Sequence, residues 1–120
     1  MEEMAYVPLH VHSEYSLLDG MIRVKDLVNF AKENNMPAVA ITDHGVMYSA
    51  LELYVEAKEK GVKPLIGCEF YVHDNDIHDK NPADNPLYHL VLIAKNHDGY
   101  LNLLKLVSIA WCEGFYHKPR

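Results

Sequence analysis

Histidines and carboxylates cluster in short runs along this chain: His10-Val11-His12, Asp19-Gly20, Thr42-Asp43-His44-Gly45 and Gly67-Cys68-Glu69, with His89 following Tyr88. Such side chains are borderline-to-hard ligands that suit Zn²⁺, Mn²⁺ or Fe²⁺. His10 and His12, two apart on an extended segment, face one way at a separation of about 7 Å. They can share one ion or hold two neighbouring ions; the spacing equally fits one histidine satisfied in a core and one exposed. Asp19 fits a plain turn residue or a ligand reaching over the rim. Asp43 fits a helix N-cap or turn residue, a role compatible with metal chemistry nearby. Several such ligands at one rim imply two or three ions. Clustered ions clamp a phosphoryl group, lower the pKa of bound water and stabilise the leaving oxygen, so hydrolysis of a phosphate ester is the natural chemistry.

These groups need elements to carry them. Residues 6–11 form an apolar stretch that predicts a first strand ending in His10 and His12, followed by a loop over 13–21 with the turn signal Asp19-Gly20. Val24, Leu27, Val28 and Ala31 recur at helical spacing and predict a helix over 24–34, ended by Asn34-Asn35 and Pro37. The continuous apolar run 38–41 fits a strand covered on both faces, as in parallel sheets. A second helix is expected over about 47–60, stopped by Gly61, and a third strand over 65–72 after Pro64. A polar loop over 73–86 leads to a strand over 88–94. Asn96 or Asp98 caps a final helix carrying Tyr100, Leu103, Leu104, Val107 and Trp111.

Alternation of this kind means an α/β domain, in which functional groups gather at the carboxyl ends of strands. His10, His12, Asp43, His44 and Glu69 all fall there. His89 begins its strand. The loop before it holds no helix, and a parallel crossover usually needs one. An antiparallel return is therefore expected, which brings His89 to the rim of Glu69; the competing reading is a surface histidine. Cys68 faces away from Glu69 and fits packing.

Bulk properties narrow the class. The chain has 120 residues, 49% apolar and 23% charged, with a net charge of −6 and no basic stripe, which argues against a major nucleic-acid surface in this piece. Two cysteines form no CxxC and suggest free thiols. No apolar run approaches a membrane span and the acidic start is no signal peptide, so a cytoplasmic location is expected. Of the eight histidines, His73, His78, His97 and His117 fit solvated loop positions. The last helix is apolar nearly all round, which predicts burial on more than one side and a chain that continues beyond this piece.

The runs His10-Val11-His12, Thr42-Asp43-His44-Gly45 and Gly67-Cys68-Glu69 resemble the successive motifs of the PHP (polymerase and histidinol phosphatase) family. Residues 11–20, 40–48, 88–92 and 113–120 look more closely like its polymerase branch, the domain at the amino terminus of bacterial replicative DNA polymerase α subunits. The resemblance implies the amino-terminal part of a distorted seven-stranded (β/α) barrel, with about four strands and three helices, as one partial domain over 1–120. It implies metal positions at His10, His12, Asp19, His44, Glu69 and His89, with Asp43 behind them, and up to three ions. Further family ligands lie later than this chain reaches.

The resemblance further implies a parent that synthesises DNA with Mg²⁺ at a distant site. Its PHP domain is either a metal-dependent 3′–5′ exonuclease or a scaffold contacting a proofreading exonuclease subunit, within a holoenzyme that includes a sliding clamp. A free-standing phosphatase of the same superfamily is the less favoured alternative. The 120-residue piece itself is expected to be inactive in isolation and to self-associate through uncovered strand edges and helix faces.

Overall fold

The computed structural model describes residues 5–81 and 86–120. The acidic start and part of the polar loop before β3 lie outside the described residues. In chain order the elements are α1 (Val24–Glu33), β1 (Ala38–Ile41), α2 (Ala50–Lys60), β2 (Lys63–Val72), β3 (Tyr88–Ile93) and α3 (His97–Cys112). The sheet order is β1-β2-β3, with β1 and β2 parallel and β2 and β3 antiparallel. The antiparallel return expected from the helix-free loop is present, and Tyr71 pairs with His89 and Glu69 with Val91.

The expected first strand is a correction. Residues 6–11 are not a strand, although they run beside β1: Ala40 N donates to Pro8 O at 3.1 Å and Thr42 N to Val11 O at 2.8 Å. Pro8 has no N–H to return. The step from Pro8 to Val11 also spans three residues against two on β1, a bulge-like mismatch that breaks the ladder. Three strands, not four, are formed among the described residues.

Two apolar clusters hold the layer together. Val24, Leu27, Val28 and Ala31 of α1 pack with Leu53 and Ala57 of α2 over Val39 and Ile41. Cys68, Phe70 and Leu103 form the second cluster, between β2 and α3. Side chains alternate along a strand, so Cys68 and Phe70 pack inward while Glu69 and Tyr71 take the opposite face. Burial pushes the Cys68 thiol up to about 12, as befits a packing residue.

α2 begins later than expected, and Ser49 at its N-cap position donates its hydroxyl to Asp43 and caps no backbone group. Gly61 closes α2 in the left-handed region with φ 71°. The Asn96 side chain caps α3 through Gly99 N at 2.9 Å. Within this chain α3 buries only Leu103 and Ala110, and Leu101, Leu106, Ile109 and Trp111 stay exposed. Burial on more than one side is thus not met among the described residues.

Candidate metal centre

The rim of the sheet gathers all six side chains singled out from the sequence. Two devices set the strand-end positions. β1 is prolonged by Glu69 N donating to Asp43 O and Gly45 N donating to Glu69 O, both at 2.9 Å, which lays His44 beside Glu69. The extended segment beside β1 sets His10 and His12 on the same rim. The loop after it returns as a tight turn: Asp19 N and Gly20 N both donate to Ser16 O, at 3.0 and 2.9 Å. Gly20 is required there by close approach, since a Cβ would lie 2.0 Å from Ser13 O.

Glu69 is the hub, buried with 4% of its surface exposed. Its Oε2 lies 3.0 Å from His10 Nε2, 2.5 Å from His12 Nε2 and 3.4 Å from His44 Nδ1, while Oε1 lies 3.0 Å from His89 Nδ1. Asp19 forms a second pole: its Oδ2 lies 2.5 Å from His12 Nδ1 and 3.0 Å from His44 Nε2. Three overlapping sets result, His10–His12–Glu69, His12–Asp19–His44 and His44–Glu69–His89, each with donor atoms within 4.8 Å of one another.

Burial alone would raise the Glu69 carboxyl. Hydrogen bonds from His10, His12 and His89 and the charge of His44 outweigh it and hold the group at about 2. Burial, then the charges of Glu69 and Asp19, push the Tyr71 phenol up.

The donor chemistry fits metal ions. His12 and His44 each turn both ring nitrogens toward carboxylate oxygens. A neutral imidazole carries one N–H, so its second nitrogen is a lone pair. Facing a carboxylate, that second nitrogen is satisfied either by a proton, as in the imidazolium of the metal-free rim, or by a cation shared with the carboxylate oxygen. His44 Nδ1 is buried and makes no hydrogen bond, despite standing near Glu69. An electron-pair donor left without a proton partner beside an anionic oxygen is the arrangement a divalent cation satisfies.

Asp43 stands behind the rim, 1% exposed. Its carboxylate accepts from Ser13 N at 2.7 Å and from the hydroxyls of Ser13, Ser16 and Ser49 at 2.8, 2.8 and 3.0 Å. Ser16 Oγ in turn accepts from His44 N at 3.1 Å. Asp43 therefore fastens the Asp19 loop to the end of β1 and the start of α2. The serines were not singled out in the sequence, where they read as ordinary loop residues. Tyr71, stacked on His44 with ring centroids 5.9 Å apart, was also missed, because an aromatic residue on an apolar strand reads as core.

The remaining histidines lie elsewhere. His78 is exposed beside Asp76, His97 begins α3 rather than lying in a loop, His117 is exposed and His73 is half-buried.

Fold and rim together define an α/β layer with a candidate multi-metal centre. The chain belongs to the PHP domain family, whose match spans residues 8–120. Among curated proteins it is similar to DNA polymerase III subunit alpha of Borreliella burgdorferi, at 49% identity over 96% of this chain and 10% of that protein. The same subunit of Chlamydia pneumoniae is 45% identical over 98% of this chain, and that of Thermus aquaticus 43% over 98%, each again across 10% of the relative. The chain thus spans about a tenth of the length of these relatives.

Two solved structures share the fold. An amidohydrolase from Chromobacterium violaceum, described with bound sulfate and no metal, has a TM-score of 0.59 at 22% identity, covering 85% of this chain and 33% of its own. A protein from Bifidobacterium adolescentis described provisionally as a metal-dependent phosphoesterase has a TM-score of 0.58 at 21% identity, covering 89% and 35%. No helix among the described residues is long and apolar enough to cross a membrane.

Proposed function

We propose that this chain is the amino-terminal part of the PHP domain of a bacterial replicative DNA polymerase α subunit, and that its rim binds two or three divalent ions for phosphodiester hydrolysis. The single observation that carries the metal-site reading is the pair of rings, His12 and His44, each with both nitrogens facing carboxylates. The 43–49% identity to polymerase α subunits supports the parent. In this reading the family barrel is completed by later chain, and the polymerase's own Mg²⁺ centre, DNA, the proofreading exonuclease subunit and the sliding clamp are engaged by the whole protein in the cytoplasm.

His10, His12, Asp19, His44, Glu69 and His89 would hold the ions, which are of the Zn²⁺, Mn²⁺ or Fe²⁺ class. When bound, such ions supply a low-pKa water and neutralise charge on the phosphoryl oxygens and the leaving oxygen. The chain's own work is positional. Glu69 orients His10, His12 and His89 from its two oxygens. Asp19 orients His12 and His44 from above the rim, and Asp43 with its serines holds the loop that carries Asp19.

A second reading, a scaffold without turnover that docks a proofreading subunit, is favoured by the exposed apolar residues of α3. One comparison separates the two. Metal content and cleavage of a 3′-ended single-stranded oligonucleotide are measured on this chain and on the full-length protein. The enzyme reading requires at least one transition ion per full-length chain and cleavage that a chelator abolishes. A full-length protein that takes up no ion and leaves the oligonucleotide intact supports the scaffold.

A further inference from the structure

The rim has one neighbour that the metal site does not explain. Tyr71 lies two residues beyond Glu69 and shares its face of β2. Its ring stacks on His44 and meets His89 edge-on at 5.1 Å. Over the same ring lies Lys118, with Nζ 4.7 Å from the centroid, within the range of a cation–π contact.

A specific turn brings Lys118 there. His117 has φ 60°, in the left-handed region that non-glycine residues seldom enter. Tyr116 N donates to Lys118 O at 3.1 Å and closes the turn. The following residues are pinned. Pro119 is buried against Gly45, where a Cβ would lie 2.7 Å from Pro119 Cγ. Arg120 is buried and donates to Gly114 O and Ile77 O, both at 2.9 Å. Trp111 Nε1 ties α3 to the same loop through Gly45 O at 2.8 Å. Lys118 alone of residues 118–120 stays exposed, and it forms no ion pair among the described residues.

Pro119 and Arg120 fix the turn by packing, and the cation–π contact with Tyr71 leaves the Lys118 ammonium without an anionic partner among the described residues. An unpaired cation thus lies one aromatic ring away from two of the rim histidines. We propose that Lys118 is a substrate-binding residue that takes a non-bridging oxygen of a phosphate ester and orients the ester on the His44–His89 side of the rim. Lysine suits this as a compact point charge with three donors. The assignment rests on the phosphoesterase reading of the site, and it adds a requirement for an anionic substrate that the ligands alone would not impose.

The test uses the full-length protein loaded with Mn²⁺, with variants K118M and K118R. Metal content, equilibrium binding of inorganic phosphate, and KM and kcat for bis(4-nitrophenyl) phosphate are measured. K118M is expected to keep its metal content, to bind phosphate about tenfold more weakly and to show a raised KM with little change in kcat; K118R is expected to stay within about threefold of the parent. Unchanged phosphate affinity in K118M overturns the assignment. So does an equal loss in K118R, which would trace the effect to the turn rather than the charge, and so does a parent protein that binds no phosphate. A parent that binds ions and phosphate but turns over no ester refutes the hydrolase reading instead, and the phosphate titration then still decides Lys118.

Discussion

His12 and His44 lie ring beside ring, with centroids 4.0 Å apart, and each spans the gap between Asp19 and Glu69. One ring comes from the extended segment before α1 and the other from the end of β1. Two segments far apart in sequence are therefore held in register by two shared carboxylates, and those carboxylates are the places to test the centre.

Glu69→Gln keeps the shape of the hub and removes its charge. The variant is expected to lose about a hundredfold or more in Mn²⁺ or Zn²⁺ affinity, beyond the 10–100-fold typical of outer-shell partners. Titration calorimetry on parent and variant reads this directly; equal affinities would remove Glu69 from the ligand set.

The same carboxyl makes a pH prediction for the metal-free protein. Its folded-state pKa of about 2 lies below the ordinary glutamate value of 4.5. The stability it contributes is present above the unfolded value and is lost as pH falls from about 4.5 toward 2. Urea denaturation between pH 2 and 6 is expected to show this acid slope in the parent and a shallower one in Glu69→Gln. Superimposable slopes would contradict it.

Asp43→Ala strands three serine hydroxyls and a backbone N–H. With a buried charged acceptor gone, the loss of stability is expected to be about 3 kcal/mol. Ser49→Ala removes one bond at the edge of the same set and is expected to cost about 1 kcal/mol. Denaturant midpoints measure both, and an Asp43→Ala loss no larger than that of Ser49→Ala would refute the anchoring role.

The uncovered apolar side chains of α3, with Leu101 48% and Leu106 44% exposed, predict concentration-dependent self-association of the 120-residue chain. Leu101→Lys combined with Leu106→Glu should return it toward monomer. Light scattering that reports a monomer at high concentration for the parent would disprove the prediction.

Much of this arrangement was legible in the residues. The period of Val24, Leu27, Val28 and Ala31 marked α1, and all four are buried. The lack of a helix before His89 marked the antiparallel return, because chain geometry leaves little alternative. What stayed hidden depended on partners distant in sequence. Pro8 spoils a strand only because β1 lies alongside it. Ser13, Ser16 and Ser49 have the composition of any loop until Asp43 is placed among them. The apolar circumference of α3 predicted burial, but periodicity cannot say whether the covering surface lies in the same stretch of chain.

The alternation along β2 has a consequence for how this segment can vary. Glu69 and Tyr71 serve the rim, while Cys68 and Phe70 serve the core one residue out of phase. A single inserted or deleted residue in this strand would exchange the two faces. It would drive a carboxylate into the apolar cluster and turn a thiol toward the histidines, so folding and chemistry would fail together. A length change in this strand would thus be penalised twice, once in the packing of the core and once in the placement of the rim carboxylate.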